Sequence, residues 1–236
     1  MQLFFRKPKP IDPSLPYVDR LLQKLKTKAV IFDLDGTLIN NNSFHLISWQ
    51  RYLKKIGKDI SEKEYKANIN GRTNKDAVEY IYGRRMSDEE AMRYALEKEE
   101  IYMNLYKPLI KPVAGLLEFL EELRQRNVPM AIATSGVQVN IDFLFDNIDI
   151  KKYFNVVLNS THIQRGKPHP EIYLKTAAAL NTAPKNCLVF EDAVVGIEAA
   201  HDARMKVIAL ATTHEKEELA TADMVIENYN DLKEVF

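Results

Sequence analysis

Lys28-Ala-Val-Ile-Phe-Asp-Leu-Asp-Gly-Thr-Leu38 ends an apolar segment of this 236-residue chain on two carboxylates. The run Ala29 to Phe32 is short and unbroken, which is typical of a central strand buried on both faces. Residues two apart on an extended chain point the same way, so Asp33 and Asp35 can face one cleft beyond the strand. Gly36 favours a turn there. Open α/β sheets bind their ligands at this edge.

Two neighbouring carboxylates indicate a bound cation, because each raises the pKa of the other unless a positive charge lies between them. Mg²⁺ is the simplest candidate, since it prefers carboxylate and carbonyl oxygens and leaves positions for water and phosphate. An ionised aspartate can attack phosphorus, and a neighbouring carboxylic acid can protonate the leaving oxygen. The structural alternative is a strand-end turn that uses Asp and Gly only for its geometry.

The composition narrows the class of protein. Lys+Arg 33 balances Asp+Glu 33, so the formal net charge of zero gives no indication of a nucleic-acid partner. The single cysteine, Cys187, excludes an internal disulfide framework and is typical of a cytoplasmic protein, and we expect it to be a buried thiol. No stretch is long and apolar enough to cross a membrane. We therefore expect neither a membrane nor a nucleic acid as partner.

Residues 1–27 differ from the rest of the chain and are predicted to be an N-terminal extension. Arg6-Lys-Pro-Lys-Pro10 is basic and broken by proline, and Phe4-Phe5 is too short for the apolar region of a signal peptide. The following residues predict a short amphipathic helix that packs on the core or on a partner subunit. Its apolar stripe is Leu15, Val18, Leu21, Leu22 and Leu25. We expect a monomer or a weak homodimer.

Helical patterns fill residues 40–108, and strands alternate with helices after them. Prolines end the helical block, which we interpret as an inserted cap domain. The later alternation predicts βαβ units. We expect an α/β fold with a doubly wound, mostly parallel sheet formed by residues 28–39 and 109–236. The predicted strands are Ala29–Phe32, Met130–Thr134, Val156–Leu158, Cys187–Phe190, Val207–Leu210 and Met224–Ile226.

Polar residues follow three later segments of this pattern. Thr134-Ser-Gly136 offers a hydroxyl and backbone N–H groups that suit a phosphate oxygen, although an ordinary helix N-cap is the alternative. Lys167 lies in a short loop bounded by Gly and Pro, where it can neutralise a carboxylate and a phosphoryl group or can simply be solvated. Glu191-Asp192 follows an apolar run, and burying acids without a cation is costly. These acids favour a metal site.

Four motifs in this order resemble those of the haloacid dehalogenase superfamily of phosphohydrolases. The position of the helical block between the first two motifs resembles the β-phosphoglucomutase-like subgroup. The resemblance covers about residues 28–226, and its specificity comes from the order of the motifs rather than from any one of them. The motifs are Asp33-x-Asp35-Gly-Thr37, Thr134, Lys167 and Glu191-Asp192.

The resemblance implies a role for each motif. Asp33 would be the nucleophile and a Mg²⁺ ligand, and Asp35 would be the general acid/base whose backbone carbonyl also binds Mg²⁺. Thr134 and Lys167 would hold the phosphoryl group, next to Ser135 and Gly136, which line the same loop. Asp192 would complete the metal site, with Glu191 supporting metal-bound water.

The helical block contains the features that distinguish members of the subgroup. His45 lies ten positions after Asp35, where the subgroup carries a histidine at the hinge of the cap. The mutase holds the distal phosphate of its substrate with a cap arginine, and that position falls on Asn74. We expect substrate specificity to come from His45, Trp49, Arg72, Asn74 and Lys75.

The sequence therefore predicts a cytoplasmic, Mg²⁺-dependent phosphatase of a small phosphorylated metabolite, with sugar phosphates as the first choice. A β-phosphoglucomutase is the enzymatic alternative, which His45 favours and Asn74 opposes. A phospho-accepting signalling receiver is the non-enzymatic alternative. Asp35 as an acid and the size of the predicted cap oppose that alternative.

Overall fold

A computed structural model describes residues 11–236 and contains one six-stranded sheet whose strands are all parallel. The strands are β1 Ala29–Phe32, β2 Met130–Ala133, β3 Val156–Leu158, β4 Cys187–Glu191, β5 Lys206–Leu210 and β6 Met224–Ile226. Their order is β3-β2-β1-β4-β5-β6, so the direction of winding reverses beside β1. The carboxyl end of β1 is thus the switch point at which such sheets bind ligands. The predicted α/β, doubly wound fold is confirmed.

Ten α-helices accompany the sheet within the described residues. They are α1 Tyr17–Leu25, α2 Asn42–Lys55, α3 Glu62–Asn68, α4 Asn74–Tyr82, α5 Asp88–Tyr106, α6 Leu116–Gln125, α7 Gln138–Asn147, α8 Glu171–Ala179, α9 Val194–Asp202 and α10 Leu232–Val235. Between residues 11 and 236, no helix combines the length and the apolar character needed to cross a bilayer.

The two faces of the sheet carry separate apolar clusters. Val30 and Phe32 point into one cluster with α1, α6 and α7, whereas Ala29 and Ile31 point into the other with α8 and α9. Phe32 stacks on Phe190 of the neighbouring strand, with 5.3 Å between ring centroids. Because β1 is covered on both sides, its sequence is continuously apolar rather than alternating.

Cys187 begins β4 on the α8 and α9 side of the sheet and is buried, as predicted. Burial raises the pKa of its thiol to about 11. A thiol of such high pKa is protonated at neutral pH and is a poor nucleophile.

Helices α2 to α5 form a helical insert, defined here as residues 42–106, with an apolar core of its own. That core contains Trp49, Tyr52 and Tyr65, which are almost fully buried. Helices α3, α4 and α5 each begin after a serine or threonine whose hydroxyl accepts from the backbone N–H three residues later. Such hydroxyls are preferred at this position because they satisfy a backbone N–H group that has no partner within the helix.

The N-terminal helix α1 packs on the core rather than standing apart from it. Val18 and Leu21 are fully buried in the cluster shared with α6. Arg126 at the end of α6 binds Asp19 through two hydrogen bonds of 2.7 and 3.0 Å. The basic and Phe4-Phe5 segments of the predicted extension lie outside the described residues.

If α1 is an integral part of the core, Leu21→Ala should lower the free energy of unfolding by about 2–5 kcal/mol, because it leaves a cavity under the helix. The matched control is Leu117→Ala on α6, where the side chain is 46% exposed and truncation should have little effect. Urea titration measures both variants. Equal stabilities of the two variants would show that α1 contributes nothing to the fold.

Candidate active site

A cavity of about 60 Å³ lies between the carboxyl edge of the sheet and the helical insert. Residues from the loops after β1, β2 and β4 form its floor, and residues of the insert form its roof. The predicted site residues that line it are Asp33, Asp35, His45, Trp49, Arg72, Asn74, Thr134, Ser135, Gly136 and Asp192. The structure therefore brings together most of the residues that the sequence singles out.

Lys75 does not line this cavity. Its ammonium pairs with Asp88 at 2.5 Å on the surface of the insert, and its side chain is 44% exposed. Successive residues of a helix point about 100° apart. Asn74, the preceding residue on α4, faces the cavity, so Lys75 faces away from it. The predicted contact between Lys75 and a substrate is therefore not met in this structure.

Lys167 and Glu191 lie beneath the cavity and hold Asp33 in place. The Lys167 ammonium donates to Asp33 Oδ1 at 2.6 Å and to Glu191 Oε1 at 2.5 Å. All three side chains are buried, and Lys167 is only 1% exposed. Desolvation lowers the pKa of Lys167, but the two carboxylates more than compensate and raise its pKa well above the usual value. The ammonium is therefore charged and fixed in position.

Glu191 is the last residue of β4, one position beyond the predicted strand end, and both its oxygens are hydrogen-bonded. Oε1 also accepts from the Tyr173 hydroxyl at 2.8 Å, and Oε2 accepts from the backbone N–H groups of Asp192 and Ala193. A Cβ at Gly196 would lie 1.8 Å from Oε1, so only glycine fits there. These contacts indicate that Glu191 orients Lys167. Its expected role beside metal-bound water remains a prediction.

The acids around Lys167 form a group that could hold a metal ion. Asp33, Glu191 and Asp192 each offer an oxygen within 4.8 Å of the others. Burial, Glu191 and Asp35 raise the pKa of Asp33 to about 7, although Lys167 opposes the shift. Burial and the neighbouring acids also raise the pKa of Asp192 well above its usual value. One ammonium does not balance this negative charge, and hard oxygen ligands of this kind suit a divalent cation.

Asp35 lies in a different environment from Asp33. Its Oδ1 accepts from Asn41 Nδ2 at 2.6 Å and lies 3.3 Å from His45 Nε2. Burial acts against ionisation, but His45 and Asn41 hold the pKa of Asp35 below its usual value. The Lys98 ammonium lies 2.8 Å from His45 Nδ1. Because Lys98 can only donate, Nδ1 accepts and the ring proton lies on Nε2, facing Asp35.

The loop after β2 joins the floor of the cavity to its roof. Thr134 Oγ1 accepts from the Gly136 N–H at 2.9 Å, and Ser135 Oγ donates to the carbonyl oxygen of Gly71 in the insert at 2.8 Å. Gly71 has φ +73°, and a Cβ there would lie 2.7 Å from Val195 of the core. A glycine at this position lets the insert approach the core closely.

Several residues of the site were not predicted from the sequence. Lys98 and Glu99 are almost fully buried on α5, and both line the cavity. They belong to the same helical stripe as Ala91, Ala95, Tyr102 and Tyr106. The sequence feature that could have identified Lys98 and Glu99 is the presence of two charged residues on an otherwise apolar helical stripe.

Asn41 and Asn42 were also missed. Asn42 Nδ2 donates to Asp192 Oδ2 at 2.8 Å, and its Oδ1 accepts from Asn70 of the insert at 3.1 Å. Asparagines at the start of a helix are common as turn and cap residues. Their sequence context therefore gave no indication that Asn41 contacts Asp35 or that Asn42 contacts Asp192.

The sequence of the chain matches the model of one protein family and is similar to several named proteins. The model of the family described as haloacid dehalogenase-like hydrolase matches residues 30–210. Validoxylamine A 7'-phosphate phosphatase of Streptomyces hygroscopicus subsp. limoneus is 30% identical over 213 residues, which are 87% of this chain and 96% of that protein. Phosphorylated carbohydrates phosphatase of Thermotoga maritima is 29% identical over 75% of this chain and 81% of that protein.

Not every relative has the length of this chain. The chloroplastic 5-amino-6-(5-phospho-D-ribitylamino)uracil phosphatase of Arabidopsis thaliana is 30% identical over 205 residues, 86% of this chain, but these are only 55% of the plant protein. Among solved structures, β-phosphoglucomutase from Clostridium difficile superposes with a TM-score of 0.77 at 28% identity, covering 87% of this chain and 93% of that one.

Gly36 should be required for cation binding, because a Cβ there would lie 2.1 Å from Asp192 Oδ2. We expect Gly36→Ala to weaken Mg²⁺ binding by about 10–100-fold, as displaced supporting groups do at other metal sites. Gly57→Ala is the control, since Gly57 has nearly the same φ, +71° against +74°, with nothing within 4 Å. Calorimetric titration with Mg²⁺ compares them, and equal affinities would place the cation elsewhere.

The raised pKa of Asp33 predicts a pH-dependent stability in the absence of divalent cations. The folded chain holds the Asp33 proton up to about pH 7, whereas the unfolded chain releases it near 3.8. The contribution of Asp33 to stability should therefore fall as the pH rises through this window. Urea unfolding in EDTA, taken as the difference between wild type and Asp33→Asn, measures it, and excess Mg²⁺ should reduce the decline. A difference that does not vary with pH would contradict the assignment.

Proposed function

Because the chain belongs to the haloacid dehalogenase-like hydrolase family, we propose that it is a Mg²⁺-dependent phosphatase of a small phosphorylated metabolite, with sugar phosphates as the preferred class. The observation that carries this proposal is the contrast between two aspartates two residues apart. Asp33 is held by Lys167, and Asp35 is held by Asn41 and His45. The contact of Asp33 with Lys167 suits a nucleophile, and the contact of Asp35 with a histidine, which can exchange protons, suits an acid/base. Without a cation the two pKa values lie in the opposite order, because that of Asp33 is raised and that of Asp35 is lowered.

In the first step, an oxygen of Asp33 would attack phosphorus and the bond to the leaving oxygen would break. Lys167 donates to Asp33 and would neutralise the phosphoryl oxygens, and Thr134, which lines the same cavity, would orient them. Asp35 would give a proton to the leaving oxygen, which departs as an alcohol. Asp35 must first take up that proton against the effect of His45 and Asn41, which lower its pKa. The product of this step is a phosphoryl group on Asp33.

In the second step, water would attack the phosphoryl group on Asp33. Asp35, now ionised, would take a proton from that water, so inorganic phosphate leaves and Asp33 returns to its carboxylate. The side chains of Asp33 and Asp192 and the backbone carbonyl of Asp35 would hold Mg²⁺. When bound, the ion supplies the positive charge that keeps Asp33 ionised and offsets charge on the phosphoryl oxygens.

The helical insert would act as the predicted cap, residues 40–108. The cavity of about 60 Å³ is well below the roughly 300 Å³ of ordinary ligand sites, so a sugar phosphate needs the insert to move away first. The contacts Ser135 to Gly71 and Asn42 to Asp192 join the two parts in the closed position. Closure would exclude bulk water during transfer. His45, Trp49, Arg72 and Asn74 would then face the substrate.

A phosphosugar mutase is the second candidate, favoured by the similarity to a solved β-phosphoglucomutase and by His45 close to Asp35. A mutase must protect the phosphoryl group on Asp33 from water while the sugar turns over. Asn74, where the mutase carries its phosphate-binding arginine, instead donates to Glu99 at 2.9 Å. This contact supports hydrolysis over isomerisation.

The test is a panel of sugar phosphates and nucleotides with Mg²⁺, in which free phosphate and isomerised sugar phosphate are followed together. We expect many turnovers, with free phosphate as the main product. Asp33→Asn should reduce turnover by at least about 10³-fold, because no covalent intermediate can form.

Asp149→Asn is the control for this substitution, since Asp149 is on the surface with an 83% exposed side chain. Isomerised sugar phosphate as the main product would support the mutase, and a single turnover would support a signalling receiver. Normal phosphate release by Asp33→Asn would exclude the mechanism.

A further inference from the structure

We propose that Glu99 selects the substrate, by accepting a hydrogen bond from a hydroxyl group on the leaving group and by rejecting a second anionic group there. The inference rests on the proposed phosphatase activity and narrows its substrate class. Phosphate monoesters of hydroxylated compounds fit the site, whereas bisphosphates and phosphorylated carboxylic acids do not. Glu99 would therefore favour binding of the first class of substrate and oppose binding of the second.

The hydrogen bonding of Glu99 is incomplete. The residue is 1% exposed, and its Oε1 accepts from Lys98 Nζ and from Asn74 Nδ2, both at 2.9 Å. Oε2 is also buried, but it has no hydrogen-bond partner among the described residues. A buried acceptor without a donor is costly, and folded proteins seldom leave one. Because Glu99 lines the cavity, a molecule bound there can supply the donor.

The charge of Glu99 decides which groups it accepts. Burial acts against ionisation, but the charge of the Lys98 ammonium and the hydrogen bonds from Lys98 and Asn74 hold the pKa of Glu99 below its usual value. An ionised carboxylate can only accept hydrogen bonds, so it suits a hydroxyl and repels a phosphate or carboxylate. Lys98 already donates to Glu99 and to His45, so its charge is shared within the wall of the cavity.

The position of Glu99 matches the leaving group rather than the phosphoryl group. His45 lies between Asp35 and Glu99, with Nε2 3.3 Å from Asp35 Oδ1 and Nδ1 3.9 Å from Glu99 Oε2. In the proposed mechanism Asp35 protonates the leaving oxygen. The rest of the leaving group then extends from Asp35 toward the helical insert, where Glu99 is located.

The test compares kcat/KM for glucose 6-phosphate, glucose 1,6-bisphosphate and phenyl phosphate, which carries no hydroxyl. We expect wild type to prefer the monophosphate to the bisphosphate. Glu99→Gln should reduce this preference at least tenfold, through a higher KM for the monophosphate and a lower KM for the bisphosphate. Glu100→Gln on the exposed side of α5 removes the same charge and should leave the preference unchanged.

Each outcome bears on one claim. A preference of Glu99→Gln equal to that of Glu100→Gln would overturn the inference, and so would a wild-type preference for the bisphosphate, which would point to Arg72 as a second phosphate site. Hydrolysis of phenyl phosphate in either case would leave the proposed phosphatase standing. No turnover of any ester would instead overturn the proposed function.

If Glu99→Gln does not fold, Glu99→Asp replaces it. This variant keeps the negative charge and moves it back by one methylene. It should still reject the bisphosphate but should bind the monophosphate less tightly, with a higher KM. A variant that accepted the bisphosphate as readily as the monophosphate would contradict the charge argument.

Discussion

The rest of the site depends on the two ion pairs that the Lys167 ammonium forms with Asp33 and Glu191. The ammonium is buried between these two residues, where an unpaired charge of either sign would be strongly destabilising. Removing the ammonium would leave two carboxylates facing each other, and removing either carboxylate would leave a buried N–H donor of the ammonium without its acceptor. The backbone N–H groups after β4 and the Tyr173 hydroxyl stabilise Glu191 in turn. The orientation of Asp33 is therefore set by contacts that extend well outside the cavity.

The parallel sheet explains how residues more than 130 positions apart meet. β1 lies between β2 and β4, so the loops that follow these strands share one edge. Each loop contributes one kind of group: acids after β1 and at the end of β4, and a hydroxyl with backbone N–H groups after β2. The apolar strands before these loops pair in a fixed register, so the loops begin at the same level along the edge of the sheet. The acids can therefore be close together without a cysteine or a long ion-pair network to fix them.

The sequence predicted the core of this arrangement because its signals are local. An unbroken apolar run followed by Asp, or by Glu-Asp, marks both a buried strand and the group at its end, and all six strands were placed to within a residue at each end. The insert was harder to interpret. Lys98, Glu99 and Asn42 act through contacts with residues 25 to 150 positions away, and helical spacing alone does not reveal such contacts. Lys75 shows the converse, since proximity in sequence to Asn74 did not place it in the cavity.

The helical insert has an apolar core that is separate from the two clusters on the sheet. A substitution of a cavity residue whose hydrogen bonds stay within the insert, such as Glu99, therefore changes what the cavity admits without disturbing the packing that positions Asp33 and Lys167. Under the proposed function, recognition would be encoded mainly in the insert and the reaction mainly at the edge of the sheet, so each part could accumulate mutations at its own rate. A new substrate preference can thus evolve from a few changes in the insert while the chemistry is inherited intact.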